Sequence, residues 1–253
     1  MFTNKGWRLV DFHCHLDLFP NHNNAFQQAI NDKVIILSVT TTPRAWPENQ
    51  RLAKMGRLIK IGLGLHPQII ETNWKEIALW EAYFSDARYI GEIGLDSGPR
   101  FRKSLELQKS VFEKILRRCA EAGGRILSVH STGCAGIVLD MIEKLVPKNR
   151  SRVILHWFTG TGKEAQQAND LGCFYSINSA MLRNNRQREM IQNLPIERII
   201  TETDAPFSKD SVNPTWPRDV RKAVAELAVL LKMDEDEMGA KIENNLSLLE
   251  ESI

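Results

Sequence analysis

Eight short β-branched or apolar runs, separated by longer amphipathic stretches, constrain this chain more than any other feature. The runs are RLVDFH, VIILSVT, LIKIGLGL, RYIGEIGL, RILSVH, RVILHW, CFYSIN and ERIITET. Each is too short for a stable buried helix and carries the Val, Ile and aromatic content of a strand. Between them, apolar residues recur at helical spacing over Asn24 to Asp32, Trp74 to Phe84, Leu105 to Glu121, Ala135 to Leu145, Lys163 to Leu171 and Arg186 to Asn193. Strand, helix and strand in alternation imply parallel pairing. Eight such units without a linker fit a closed TIM-like (β/α)8 barrel better than an open doubly wound sheet. Two extra C-terminal helices are expected, at about Arg218 to Lys232 and Glu235 to Glu250, with Asp234 as N-cap and Glu237 three residues on. A length of 253 residues suits one barrel domain over 1–253.

Charge and cysteine content narrow the class. With 33 Lys and Arg against 31 Asp and Glu, the net charge is only +2, so any nucleic-acid surface must be local. The opening MFTNKGWRLVDF lacks the apolar run of a signal peptide, and no stretch approaches the roughly 20 apolar residues that span a bilayer. The expectation is a cytoplasmic protein without a membrane partner. Cys14, Cys119, Cys134 and Cys173 form no C-x-x-C pair and read as small apolar filler.

Ionisable residues recur at the carboxyl ends of the strand runs. His13 and His15 end the first, Glu92 lies in the fourth, His130 ends the fifth, His156 ends the sixth and Asp204 follows the eighth. In a barrel these ends converge on one face, where active sites are assembled. His13 and His15 are two residues apart and project from the same side of a strand, so both imidazoles can grip one ion. Asp11 shares their parity and is expected to orient an imidazole.

A single histidine after an apolar strand is commonly a hydrogen-bonded structural residue. Four histidines and two carboxylates gathered at one end are different, because burying them without a cation demands costly compensation. Imidazole and carboxylate without thiolate suit zinc, manganese, magnesium or cobalt and do not choose among them. Six candidate ligands exceed what one catalytic ion needs. One or two divalent ions are therefore expected, with Glu92 able to bridge a pair.

Six blocks now carry a family likeness: DFHCHLD at 11–17, GLHP at 64–67, GEIGLD at 91–96, VHS at 129–131, HWFTG at 156–160 and ETDAP at 202–206. They resemble the TatD family of metal-dependent deoxyribonucleases, in the family's order and across nearly the whole chain, down to NNLSLL near the C-terminus. The resemblance implies a barrel of the metallo-dependent hydrolase superfamily, with metal held by His13, His15, Glu92, His130, His156 and Asp204. It also implies hydrolysis of DNA phosphodiesters by metal-activated water, often from a 3′ end on single strands. Within the family, SVTTTPRAW at 38–46 with GLHPQ and LHWFTG resembles the TatD-like member of the Qat anti-phage defence system, which implies other Qat proteins as partners. Departures from the family pattern fall at Thr132, where a basic residue is frequent, at Gln68 in place of a second histidine, at Ser97 and in NPTWP. They touch substrate contacts and leave the ligand set whole.

Further residues accompany the expected ligands. His66 precedes Pro67 after the third strand and should point into the same mouth, to contact a scissile phosphate or protonate the leaving oxygen; it is counted with Glu92 and Asp204 as catalytic. Glu202 shares parity with Asp204 and could accept from a ligand histidine. Asp17 and Asp96 read as loop caps. Trp157 and Phe158 read as core aromatics with base stacking as the alternative, and Arg100, Arg102, Lys103, Lys163, Arg183, Arg186 and Arg188 as solvated positions or phosphate contacts. Two other functions stay open: a lactonase or phosphotriesterase of the amidohydrolase type, and a defence-complex subunit whose catalysis is secondary. Some amidohydrolases bridge their ions with a carboxylated lysine, whereas this fourth strand offers Glu92 and no lysine.

Overall fold

All eight expected runs form parallel strands, and they neighbour one another in chain order. They are β1 (Val10–Cys14), β2 (Ile35–Val39), β3 (Ile59–Leu63), β4 (Tyr89–Gly94), β5 (Arg125–His130), β6 (Ser151–His156), β7 (Phe174–Ile177) and β8 (Ile199–Thr201). The computed structural model describes residues 6–210 and 213–251, so residues 1–5, 211–212 and 252–253 of the expected domain lie outside the described residues. Around the strands run α1 (His22–Asp32), α2 (Trp46–Ala53), α3 (Ile70–Asn73), α4 (Ile77–Tyr83), α5 (Leu105–Ala122), α6 (Ala135–Leu145), α7 (Gly162–Leu171), α8 (Ser179–Leu182) and α9 (Asn185–Gln192). The two expected C-terminal helices are α10 (Val220–Leu231) and α11 (Glu235–Glu250). A short antiparallel pair, β9 (Lys209–Asp210) and β10 (Asn213–Pro214), decorates the loop after β8. The fold is a (β/α)8 barrel with two added helices.

Side-chain and backbone hydrogen bonds join β8 and the residues after it to β1 across the seam of the barrel. Thr201 Oγ1 donates to the Val10 carbonyl at 2.6 Å, and Thr203 donates to Asp11 through its backbone N–H at 2.8 Å and its hydroxyl at 2.6 Å. Above them, Asp204 N donates to His13 O at 2.9 Å and His15 N to Ala205 O at 2.7 Å. Asp11 therefore serves the seam, and the expectation that it orients an imidazole is corrected. The physical reason is local: Thr203 offers two donors to a fully buried carboxylate.

Boundaries follow the caps. Asp234 accepts from the N–H groups of Asp236 and Glu237, as expected of an N-cap, while the reciprocal capping box forms at α7 between Thr161 and Glu164. The stretch expected as one helix from Trp74 to Phe84 divides into a 3-10 turn at Trp74–Glu76, α4, and a second 3-10 turn at Phe84–Asp86. Helix α2, with Pro47 in its first turn, was not anticipated from the pattern.

Gly94 shows why β4 and β5 can lie so close. Its φ is +135°, and a Cβ there would stand 2.1 Å from the carbonyl oxygen of His130. Only glycine fits, and the approach brings Glu92 beside His130. At the other end of the chain, Asn245 of α11 is fully buried and donates through Nδ2 to the carbonyls of Ile196 and Ile199, both at 2.7 Å. It fixes the entry to β8. Asn245→Ala should lower the stability of the barrel by about 2 kcal/mol, the cost of leaving buried carbonyls without a donor; an unchanged urea midpoint would remove this role.

Candidate metal centre

Glu92 stands at the middle of the carboxyl-end face, 2% exposed, with imidazoles on both sides of its carboxylate. Its Oε2 lies 3.5 Å from His13 Nε2 and 3.4 Å from His15 Nε2. Its Oε1 lies 3.1 Å from His66 Nε2, 2.7 Å from His130 Nδ1 and 3.8 Å from His156 Nε2. Asp204 Oδ1 closes the other flank, 3.4 Å from His15 Nε2 and 3.8 Å from His13 Nε2. The fold thus brings together all six residues expected as ligands and adds His66 to them.

Four of the five imidazoles are held from behind, whereas His15 Nδ1 is buried without a hydrogen-bond partner among the described residues. His13 Nδ1 lies 2.7 Å from Ser128 Oγ. His156 Nδ1 lies 2.7 Å from Glu202 Oε2, and that buried carboxylate also accepts from the Ser176 hydroxyl and, at 2.8 Å, from Asn178 Nδ2. Glu202 thus fills the role foreseen for it. His66 Nδ1 accepts from the Gln68 N–H at 3.1 Å, which places its proton on Nε2. His130 Nε2 meets Asp96 Oδ2 at 3.1 Å, and Asp96 accepts from Gln68 Nε2 at 2.8 Å and from Gly98 N at 2.7 Å. Asp96 is a loop cap as expected, and a partner of His130 as well. Ser128 was missed, although its parity with His130 two residues on put it on the same side of β5.

The electrostatics follow from burial and crowding. Burial would raise Glu92, but the imidazoles of His66, His13, His130 and His15 outweigh it and hold the carboxyl well below its ordinary range. Burial opposes charge on His15, yet Asp204 and Glu92 overcome it and lift the imidazole to about 10. His130 rises to about 9, with burial again overcome by Asp96 and Glu92. His13 goes the other way, to about 4, through burial and the charge of His156, whose ring stacks on it with centroids 3.5 Å apart. The buried Nε2 of His13 has no hydrogen-bond partner although two carboxylates face it.

That unpartnered nitrogen is what a cation would satisfy. Three groups, His13 with His156 and Asp204, His13 with His15 and Glu92, and His66 with Glu92 and His130, each place one donor atom per residue within 4.8 Å of the others. Nitrogen and oxygen donors of this kind fit a borderline or hard divalent ion. Two of the residues that frame the site have left-handed backbone, Asp204 with φ 54° and Trp157 with φ 41°. Such non-glycine conformations cost roughly 1–3 kcal/mol each and persist where the surroundings enforce them.

Above the cluster opens a cavity of about 500 Å³, lined by His15, His66, His130 and His156 at its floor and by Thr41, Gln68, Thr132, Trp157 and Phe207 among the residues higher up. Trp157 is half-buried and reaches this cavity, while Phe158 is core. Among the described residues no Lys or Arg lines it. Arg188 donates to the Leu182 carbonyl at 3.0 Å, Arg100 lies over the Phe101 ring, and Arg186 borders a separate groove beside α7 and α9. The four cysteines are free and buried. No helix among the described residues is long and apolar enough to cross a membrane.

A parallel barrel with a histidine and carboxylate cluster at its carboxyl ends defines a hydrolase of the metal-dependent type. A family model described as TatD related DNase matches residues 10–250, and the chain belongs to that family. An uncharacterized metal-dependent hydrolase of Methanocaldococcus jannaschii is 24% identical over 94% of this chain and 95% of its own. The deoxyribonuclease TATDN3 of Homo sapiens is 26% identical over 83% of this chain and 84% of its own. The 3′-5′ ssDNA/RNA exonuclease TatD of Klebsiella pneumoniae is 30% identical over 74% of this chain and 69% of its own. Among solved structures, the TatD homolog YJJV of Escherichia coli superposes with a TM-score of 0.84 at 23% identity, covering 96% of this chain and 97% of that one.

Two outcomes follow from this geometry. Glu202→Gln should weaken divalent-cation binding roughly 10- to 100-fold, the usual consequence of removing the carboxylate behind a ligand histidine; calorimetric titration giving the wild-type affinity would sink that role. His15 and His130 have folded values of about 10 and 9 against an ordinary 6.5. Their stabilisation is complete below pH 6.5 and is lost as pH rises through 9 to 10. Metal-free protein should therefore melt at lower temperature at pH 9.5 than at pH 7, while added Mn²⁺ or Zn²⁺, competing with those protons, should raise the melting temperature more at the higher pH. Thermal scans with and without chelator that show the reverse order would contradict the assignment.

Proposed function

We propose that the chain is a divalent-metal-dependent DNA phosphodiesterase, a deoxyribonuclease acting as a 3′ exonuclease on single strands, and that residues 1–253 work as one domain. The observation that carries this reading is the position of Glu92, with both carboxylate oxygens facing imidazoles in a chain of the TatD related DNase family. The named activity of the Klebsiella relative supports the polarity and the single-stranded substrate. His13, His15, Glu92, His130, His156 and Asp204 would hold one or two ions drawn from magnesium, manganese, zinc and cobalt. When bound, such cations neutralise phosphoryl oxygens and lower the pKa of the attacking water.

The chain's own groups do the rest. Ser128 and Glu202 engage the Nδ1 atoms of His13 and His156, which leaves each Nε2 turned to the cluster. Asp204, fixed by its N–H on the His13 carbonyl, would take the proton of the attacking water. His66 carries its proton on Nε2, 3.1 Å from Glu92 Oε1, and as a neutral imidazole it would donate a hydrogen bond to an oxygen of the scissile phosphate, the leaving oxygen taking its proton from water. Four free cysteines accord with a cytoplasmic setting, where thiols stay reduced. Association with other Qat proteins rests on the run at 38–46, and Thr41 of that run lines the cavity.

The test is digestion of 3′-labelled single-stranded DNA with added Mg²⁺, Mn²⁺, Zn²⁺ or Co²⁺. Wild-type protein should degrade the strand, chelator should stop it, and a Glu92→Ala, Asp204→Ala double variant should fall to background. Equal digestion by wild type and variant would assign the activity to a contaminant. Turnover confined to lactones or phosphotriesters would replace the nuclease reading with the amidohydrolase one.

A further inference from the structure

Phe207 is the anomaly at the mouth of the site. It follows Asp204 by three residues and leaves 56% of its surface exposed, although a large apolar side chain gains nothing from water. Its ring stands edge-on to His15, with centroids 5.2 Å apart and planes at 74°. Trp157 stands edge-on to His156 at 6.3 Å, so each aromatic is docked against a different imidazole of the cluster. Both side chains line the one cavity, alongside the neutral hydrogen-bonding groups of Thr41, Gln68, Thr132 and Thr159. Among the described residues that lining contains no Lys or Arg, so electrostatic grip on a phosphate chain is confined to the imidazoles of the floor.

A rim of aromatic faces and neutral hydrogen-bonding groups over a metal-binding floor suits one kind of ligand part: a flat heterocycle with polar edges, attached to a phosphate. We propose that Phe207, with Trp157, forms a nucleobase subsite that stacks the base next to the scissile phosphate. The proposal rests on the phosphodiesterase reading for its substrate class. Stacking on a π-face accepts any of the four bases, so the subsite selects for the presence of a base and not for its identity. Because the contact is apolar, it is also insensitive to salt, unlike a clamp of lysines and arginines.

The experiment uses metal-loaded protein and two probes, thymidine 5′-monophosphate and 2-deoxyribose 5-phosphate, which share a sugar and a phosphate and differ by the base. Calorimetric titration should show the wild type binding the nucleotide roughly 5- to 100-fold more tightly, the range that stacking on one aromatic supplies. Phe207→Leu, which keeps an apolar side chain without a π-face, should lose most of that preference, and Phe207→Trp should keep it. A wild type that binds both probes equally, or a Phe207→Leu protein with the preference intact, would overturn the subsite. Hydrolysis of single strands ending in a normal or an abasic 3′ nucleotide separates the two readings. Failure of the wild type to cut either strand, with the binding preference present, would discard the nuclease and leave the base subsite supported. Equal cutting of both strands with no binding preference would do the opposite.

Discussion

A carboxylate buried among five imidazoles is the constraint to which the rest of this molecule answers. Glu92 is nearly sealed from solvent, and its charge is tolerable only because His13, His15, His66, His130 and His156 surround it. The arrangement has a cost of its own, since crowded imidazoles repel one another when protonated. The opposite shifts of His13 and His15 express that conflict: one is pushed neutral by burial and by its stacked neighbour, the other is held charged by two acids. A divalent cation would resolve it, replacing several partial protons with one fixed charge.

Keeping such a cluster together requires scaffolding that does not itself touch a substrate. Ser128, Glu202 and Asp96 each stand behind a histidine, and Gln68 stands behind Asp96. Gln68 thus lies in a chain of contacts leading to His130. Asp11 supports the opposite wall. By gripping Thr203 it sets the residue before Asp204, whose left-handed backbone turns its carboxylate toward the cluster.

Much of this was legible in the chain. The eight strands were, because parallel barrel strands are apolar on both faces and stand out against amphipathic helices. The cluster of candidate ligands was legible for the complementary reason: ionisable residues at the ends of such strands have no apolar explanation. What could not be read were relations that depend on register and on loops. Asp11 and His13 share parity, but parity does not say which neighbour a side chain meets across a seam, and Thr203 is 192 residues away. Helix α2 hid behind its proline, and Phe207 lay in a loop where neither period applies. The basic residues after β7 formed a run in sequence, yet helix geometry sends Arg188 back onto the end of α8 and Arg186 into a different groove.

The seam between the first and last strands has a temporal meaning. His13 and His15 come from β1, while Asp204 and Glu202 arrive with β8 nearly two hundred residues later. During synthesis on the ribosome, a growing chain makes His13 and His15 first, gains Glu92, His130 and His156 with β4, β5 and β6, and receives Asp204 only after its last strand. Incomplete translation products therefore lack the acid that flanks the cluster, and competence arrives only once the cylinder has closed on itself.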